Sequence, residues 1–215
     1  VDAQSGGPGK GWFRVVDSPQ AARDVINDGK MAIVLGIEIS NLFDCFLTPK
    51  EGFEPCTAES VGAKLDQYYE AGVRVIFPVH KFDNSFSPGD GSGGIIELGN
   101  FINSGHYSNF VEGCPGPSSN FDGGNVTFGG LNKPREVYDS PAPVDMSGFA
   151  DDLLGTLVPF ASKIMAPALS GDHCQQHGLT PLGETLLYEL MDRGMLIDIA
   201  HLPQRAMGET YDILE

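Results

Sequence analysis

The stretch that decides the fold is Thr180-Pro181-Leu182-Gly183-Glu184-Thr185-Leu186-Leu187-Tyr188-Glu189-Leu190-Met191-Asp192-Arg193-Gly194-Met195-Leu196-Ile197-Asp198-Ile199-Ala200-His201. Thr180 is a good N-cap and Pro181 suits the first helical position. Leu182, Leu186, Leu187, Leu190 and Met191 recur at helical spacing, and Gly194 is a helix stop. Met195 to Ala200 then reads as a buried strand ending at the polar His201.

The same order occurs twice more. Ser18-Pro19 opens a helix through Ala22, Val25 and Ile26 that stops near Gly29. The strand Met31-Ala32-Ile33-Val34-Leu35-Gly36-Ile37 follows and ends at Glu38. Thr57 opens a helix carrying Val61, Leu65, Tyr68 and Tyr69 that stops at Gly72. The strand Val73-Arg74-Val75-Ile76-Phe77-Pro78-Val79 follows and ends at His80. The distance from glycine to polar residue is 9, 8 and 7 residues in chain order. Apolar strands alternating with helices predict a parallel sheet covered on both faces, with reactive groups at the C-terminal strand ends. Glu38, His80 and His201 occupy those ends. Strand alternation puts Val34, Gly36 and Glu38 on one face, and Ile197, Ile199 and His201 on one face. Asp198 is then expected to point the other way, hydrogen-bonded behind the strand. Pro78 cannot donate to a ladder, so an irregularity is expected there.

Nearly 100 residues separate His80 from the helix that Thr180 opens. The stretch 81–148 holds 13 of the 28 glycines and 6 of the 15 prolines, a composition that by itself suggests disorder. It also carries Phe82, Phe86, Phe101, Tyr107, Phe110, Phe121, Phe128 and Tyr138, and disordered segments are poor in aromatics. An ordered, irregular excursion is expected, leaving the sheet on its reactive side where it would form a wall or lid. Ser147 to Leu169 reads as a helix kinked at Pro159. Asp83-Asn84 through Asp90-Gly91 lacks the ligand spacing of a calcium loop and reads as a turn. Asn125-Val126-Thr127 fits a glycosylation acceptor.

With 29 acidic and 13 basic residues, the net charge of −16 argues against nucleic acid and anionic membrane surfaces. No apolar run approaches the roughly 20 residues that span a bilayer. Cys45, Cys56, Cys114 and Cys174 all fall in expected loops, and no CxxC occurs. An even number in loops points to disulfides and an extracytoplasmic or secreted setting. Cys45 with Cys56 would close a short loop, and Cys114 with Cys174 would tie the excursion back. His173, Cys174 and His177 offer a weaker zinc alternative without the HExxH pattern, and His106 carries no signal.

Glu and His at strand ends suit zinc with an open coordination position. At this point Gly178-Leu179-Thr180-Pro181-Leu182-Gly183 and Gly194 to His201 strongly resemble the membrane (renal-type) dipeptidase family, peptidase family M19, among the amidohydrolase-like metal-dependent hydrolases. Gly72-Val73-Arg74 leading to His80 and Asn84 is similar to the family's preceding strand. Gly36-Ile37-Glu38 is similar to the strand supplying its bridging carboxylate. The resemblance covers about 30–80 and 178–215. It implies a TIM (β/α)8 barrel, binding of two zinc ions, and hydrolysis of dipeptides or related small amides by a metal-bound hydroxide. By the same resemblance Glu38 would bridge the ions and His201 would ligate one. His80 would bind substrate and stabilise the tetrahedral intermediate, with Asn84 beside it.

The chain departs from that family in several places. It has no His-x-Asp or His-x-His pair, Ile39-Ser40-Asn41 replaces a Gly-rich stretch, and Pro203 stands where Ser is usual. It starts at Val1 and stops at Glu215 within an expected helix. The expectation is therefore an incomplete barrel domain over 1–215, a piece of a longer chain, with an insertion at about 81–177. Two alternatives stay open: another amidohydrolase-type enzyme acting on small amides, esters or lactones, and a catalytically dead secreted binding module. The expected partner is a small peptide or amide, and a homodimer is left open.

Overall fold

The computed structural model describes residues 1–48, 50–91, 95–104, 108, 110–112 and 173–215. Strand β1 (Phe13–Val16), helix α1 (Pro19–Asn27) and strand β2 (Met31–Ile37) come first, followed by a 3-10 turn at Leu42–Asp44. Helix α2 (Ala58–Glu70), strand β3 (Val73–Ile76) and helix α3 (Ile95–Ser104) follow. Then come β4 (Phe110–Glu112), β5 (His173–Gln175), α4 (Pro181–Asp192), β6 (Leu196–Ile197) and α5 (Gln204–Leu214). Strands β1-β2-β3-β6 form one parallel sheet in chain order, and β4 pairs with β5 antiparallel.

The helix starts follow from local chemistry. Ser18 Oγ accepts the Ala21 N–H, and Pro19 sits at the first helical position. Thr57 and Ser60 form a reciprocal capping box. Thr180 Oγ1 accepts the Gly183 N–H at 3.0 Å. Gly29, Gly72 and Gly194 follow the three helices with φ of 72°, 97° and 61°, in the left-handed region open to glycine.

Helices α2 and α4 pack beside each other against the sheet. Val61 and Leu65 from α2 meet Leu186, Leu187 and Leu190 from α4, with Val73, Ile76, Leu42, Phe43 and Phe86 in the same cluster. Each leucine of α4 in this set is fully buried, contributing about 1.5–3 kcal/mol. Phe86 shows one of the expected aromatic anchors in place. A smaller cluster of Val79, Leu202 and Ala206 lies next in sequence to His80 and His201 and holds both loops down.

Several elements differ from the sequence reading. β1, Phe13–Val16, is a strand beyond the three that the sequence pattern predicts. β3 ends at Ile76 rather than running to Val79: Phe77 N–H still reaches the Ile37 carbonyl at 3.1 Å, but Pro78 has no N–H to continue the ladder. β6 is only Leu196–Ile197. Asp198 closes a turn by accepting the Ala200 N–H at 3.0 Å, which takes that backbone out of the strand. Strand alternation therefore does not extend to His201. α3 lies within the segment expected to be irregular. The expected helix at 147–169, Asn125, His106, Cys114, Tyr107, Phe121, Phe128 and Tyr138 lie outside the described residues.

Candidate functional site

Glu38 follows β2 directly. β2 and β3 approach closely at Gly36, where a Cβ would lie 3.2 Å from the Val75 Cβ, and the register shifts between Leu35 and Gly36. Val34, Gly36 and Glu38 are exposed and alternate with half-buried Leu35 and Ile37, so this side of β2 is open, in contrast to the expectation of a sheet covered on both faces. His80 is carried by the loop after β3, and His201 by the turn after β6. His201 has φ 68°, a left-handed conformation that costs a non-glycine residue roughly 1 kcal/mol. The Asp90 N–H, donating to the His201 carbonyl at 2.8 Å, helps to hold it there.

These three strand ends converge. His201 Nε2 is 3.1 Å from Glu38 Oε1, and His80 Nε2 is 3.6 Å from the same oxygen. The two imidazoles meet edge to face with centroids 4.6 Å apart. One donor atom from each of Glu38, His80 and His201 lies within 4.8 Å of the others, the one such group of His, Cys, Asp or Glu side chains among the described residues. Zinc bonds of about 2.0–2.2 Å in a tetrahedron put neighbouring donors roughly 3.3–3.6 Å apart. The His80 contact, 3.6 Å, falls at the edge of that spacing, and the His201 contact, 3.1 Å, is a hydrogen-bond distance just short of it; a carboxylate and two imidazoles are donor types that could hold a divalent ion.

Burial lowers the His80 pKa below its ordinary value, and the neighbouring His201 adds to the effect, while Glu38 opposes it. The balance favours the neutral imidazole, the form that can offer a lone pair. Behind His201 lies Asp90, whose Oδ2 is 3.7 Å from His201 Nδ1 and whose Oδ1 is 3.6 Å from Lys81 Nζ. Burial pushes the Asp90 carboxyl above the ordinary range, against the pull of Lys81 and His201. In the sequence Asp90 stands only within a turn. Its signal was weak because only the folded loop brings it to His201.

Asn84, expected at the substrate, occupies a different position. It is fully buried, and its Nδ2 donates to the Ser40 and Pro78 carbonyls, each at 2.9 Å. Its Oδ1 accepts the Phe86 and Ser87 N–H groups at 2.8 and 3.2 Å. The carboxamide is spent on backbone, so Asn84 braces the loop between His80 and Asp90. Asp83 Oδ1 accepts the Gly89 N–H at 2.9 Å, so the run is a turn held by side-chain bonds, in line with the sequence reading. Asp198, engaged with Ala200, stands outside the cluster.

Part of the excursion docks beside the site. Asn103 of α3 exchanges hydrogen bonds with Asn41 at 2.8 and 2.9 Å, and Thr48 Oγ1 donates to the Ser104 carbonyl. α3 is thereby attached to the loop that follows Glu38.

Cys45 and Cys56 form a disulfide. Cys174 is also disulfide-bonded, which removes it as a thiolate ligand and weakens the His173–Cys174–His177 alternative. Its expected partner Cys114 is not among the described residues. No helix among the described residues is long and apolar enough to cross a membrane.

What fold and site define together is a parallel α/β chain with a carboxylate and two imidazoles gathered at adjacent strand ends. No protein-family model matches the chain, and no curated protein or solved structure shows significant similarity to it.

Proposed function

We propose that this chain is part of a zinc-dependent hydrolase of dipeptides or related small amides, built on an incomplete TIM-type barrel. The observation that carries the reading is the convergence of Glu38, His80 and His201 from three separate strand ends, with both imidazoles against one carboxylate oxygen. Bound zinc would supply a water of lowered pKa and a polarised carbonyl. Glu38 and His201 would hold the metal. His80, neutral and half-exposed at the rim, would bind the substrate carbonyl and stabilise the charge that develops on its oxygen. With His80 given to the substrate, Glu38 and His201 leave one ion short of a full donor set, and a second ion would need further ligands as well.

The barrel reading is supported by the face that leads to Glu38. Val34 and Leu196 on that face are 46% and 61% exposed, whereas parallel sheets are ordinarily covered on both sides. The remaining strands of a barrel would cover it. The disulfides support an extracytoplasmic setting.

A second reading is favoured by the 3.6 Å spacing of His80 from Glu38, which would also suit a third ligand of a single zinc ion. The test is to purify the protein, measure zinc per chain by elemental analysis, and assay hydrolysis of a panel of dipeptides and N-acyl amino acids with and without a chelator. Zinc uptake with chelator-sensitive cleavage is expected. A protein that takes up no zinc and cleaves nothing would sink the proposal and favour a binding module.

A further inference from the structure

We propose that Asp90 is the positioning residue that fixes the orientation and tautomer of His201, so that Nε2 is presented to the metal while Nδ1–H faces a carboxylate. This deepens the metal-site reading and rests on it. Three observations carry the inference. The Asp90 N–H donates to the His201 carbonyl at 2.8 Å, so the two residues are fastened through the backbone. Asp90 Oδ2 stands 3.7 Å from His201 Nδ1, on the side of the ring away from Glu38. His201 Nδ1 and Asp90 Oδ1 are both buried without a hydrogen-bond partner.

His201 Nδ1, buried and short of a partner, faces Asp90 Oδ2, and a small ring rotation would bring the two within hydrogen-bond reach; the unpartnered Oδ1 lies on the Lys81 side. The neutral ring then carries its proton on Nδ1, where Asp90 accepts it, and the carboxylate raises the basicity of Nε2. Lys81, 3.6 Å from Asp90 Oδ1, tethers the other carboxylate oxygen and follows His80 directly in the chain. Asp90 therefore links the loops that carry the two histidines. The competing role is that Asp90 serves only to neutralise Lys81.

The experiment compares wild type, Asp90→Ala, Asp90→Asn and Lys81→Met for zinc affinity by chelator competition. It also records proton–nitrogen correlation spectra of the histidine rings in the zinc-loaded protein, with His201→Gln used for assignment. The expected result is a roughly 10–100-fold loss of zinc affinity in Asp90→Ala, a smaller loss in Asp90→Asn, and little change in Lys81→Met. A hydrogen-bonded Nδ1–H resonance of His201 is expected in wild type and not in Asp90→Ala. Zinc uptake by wild type with unchanged affinity in Asp90→Ala would overturn this inference and leave the metal site standing. So would an equal loss in Lys81→Met with the His201 resonance unmoved in Asp90→Ala. No zinc uptake by wild type would overturn both. Asp90→Asn, close in size to the native residue, keeps the comparison usable if Asp90→Ala does not fold.

Discussion

Gly183 lies so close to the Phe86 carbonyl that a Cβ at this position would sit 2.0 Å from that oxygen. The contact joins the first turn of α4 to the loop bearing Asn84 and Asp90. It is reinforced by Thr180, whose N–H donates to the Phe86 carbonyl at 2.9 Å and whose hydroxyl donates to the neighbouring Ser85 carbonyl at 2.5 Å. Gly183→Ala is therefore expected to force helix and loop apart, destabilising the protein by about 1–3 kcal/mol. Urea unfolding measures the stability, and zinc affinity should fall with it because the loop also positions His80. Unchanged stability would show that the loop yields without cost.

Glu38→Gln keeps the size of the side chain but removes its charge. Zinc per chain is expected to fall to background while the thermal midpoint of the metal-free protein stays near that of wild type, because Glu38 is exposed and outside the core. Elemental analysis with a parallel melting curve checks this. Zinc retained at the wild-type level would remove Glu38 from the site.

His80→Ala distinguishes the two roles open to that residue. If His80 faces the substrate carbonyl, zinc content is unchanged and kcat falls about 10²–10³-fold, as for loss of an oxyanion-stabilising donor. Loss of zinc instead makes it the third ligand. Metal content and kinetics on the same preparation separate the outcomes.

The loop after Glu38 is held by the Cys45–Cys56 bridge across 11 residues and by buried Leu42 and Phe43. Phe43 and Asp44 both have positive φ, 58° and 61°, so the loop depends on these restraints. Replacing both cysteines by serine is expected to cost about 2–4 kcal/mol, mainly by freeing the unfolded chain. Denaturant unfolding of the double variant without reductant gives the value.

Asp2 organises the N-terminal loop by accepting the Gly9 and Gly11 N–H groups at 3.0 and 2.7 Å, with Arg14 beside it. Its pKa is lowered, first by the Gly9 and Gly11 backbone donors. A folded-state pKa below the unfolded value means the unfolded chain binds the proton more readily. The loop's stabilisation is thus complete above about pH 4 and lost as pH falls through the folded pKa. Amide shifts of Gly9 and Gly11 should titrate together below the ordinary aspartate range. Titration at or above the ordinary value would contradict the assignment.

Much of this architecture could be read in the chain. Ser18-Pro19, Thr57 and Thr180-Pro181 start helices where capping chemistry requires, and Gly29, Gly72 and Gly194 follow their ends, because these effects act within one helical turn. The apolar runs after them mark the strands for the same local reason. The Gly178–Gly183 motif was also visible, but its physical basis was not. Gly183 is small because of Phe86, and Gly178 because the Glu209 carboxylate, which accepts the Leu179 N–H at 2.6 Å, occupies the space beside it.

The sequence alone determined the parallel α/β alternation, since period, capping and chain order are local properties, and of the three expected strand-end residues Glu38 follows β2 directly while His80 and His201 lie in the loops past Ile76 and Ile197. Tertiary structure decided which of those ends meet at one carboxylate oxygen. It also turned Asn84 inward as a brace and brought Asp90 behind His201. Each of these depends on contacts between residues far apart in the chain. Glu38 and His201 are 163 positions apart and become neighbours only because β2, β3 and β6 lie side by side in the sheet.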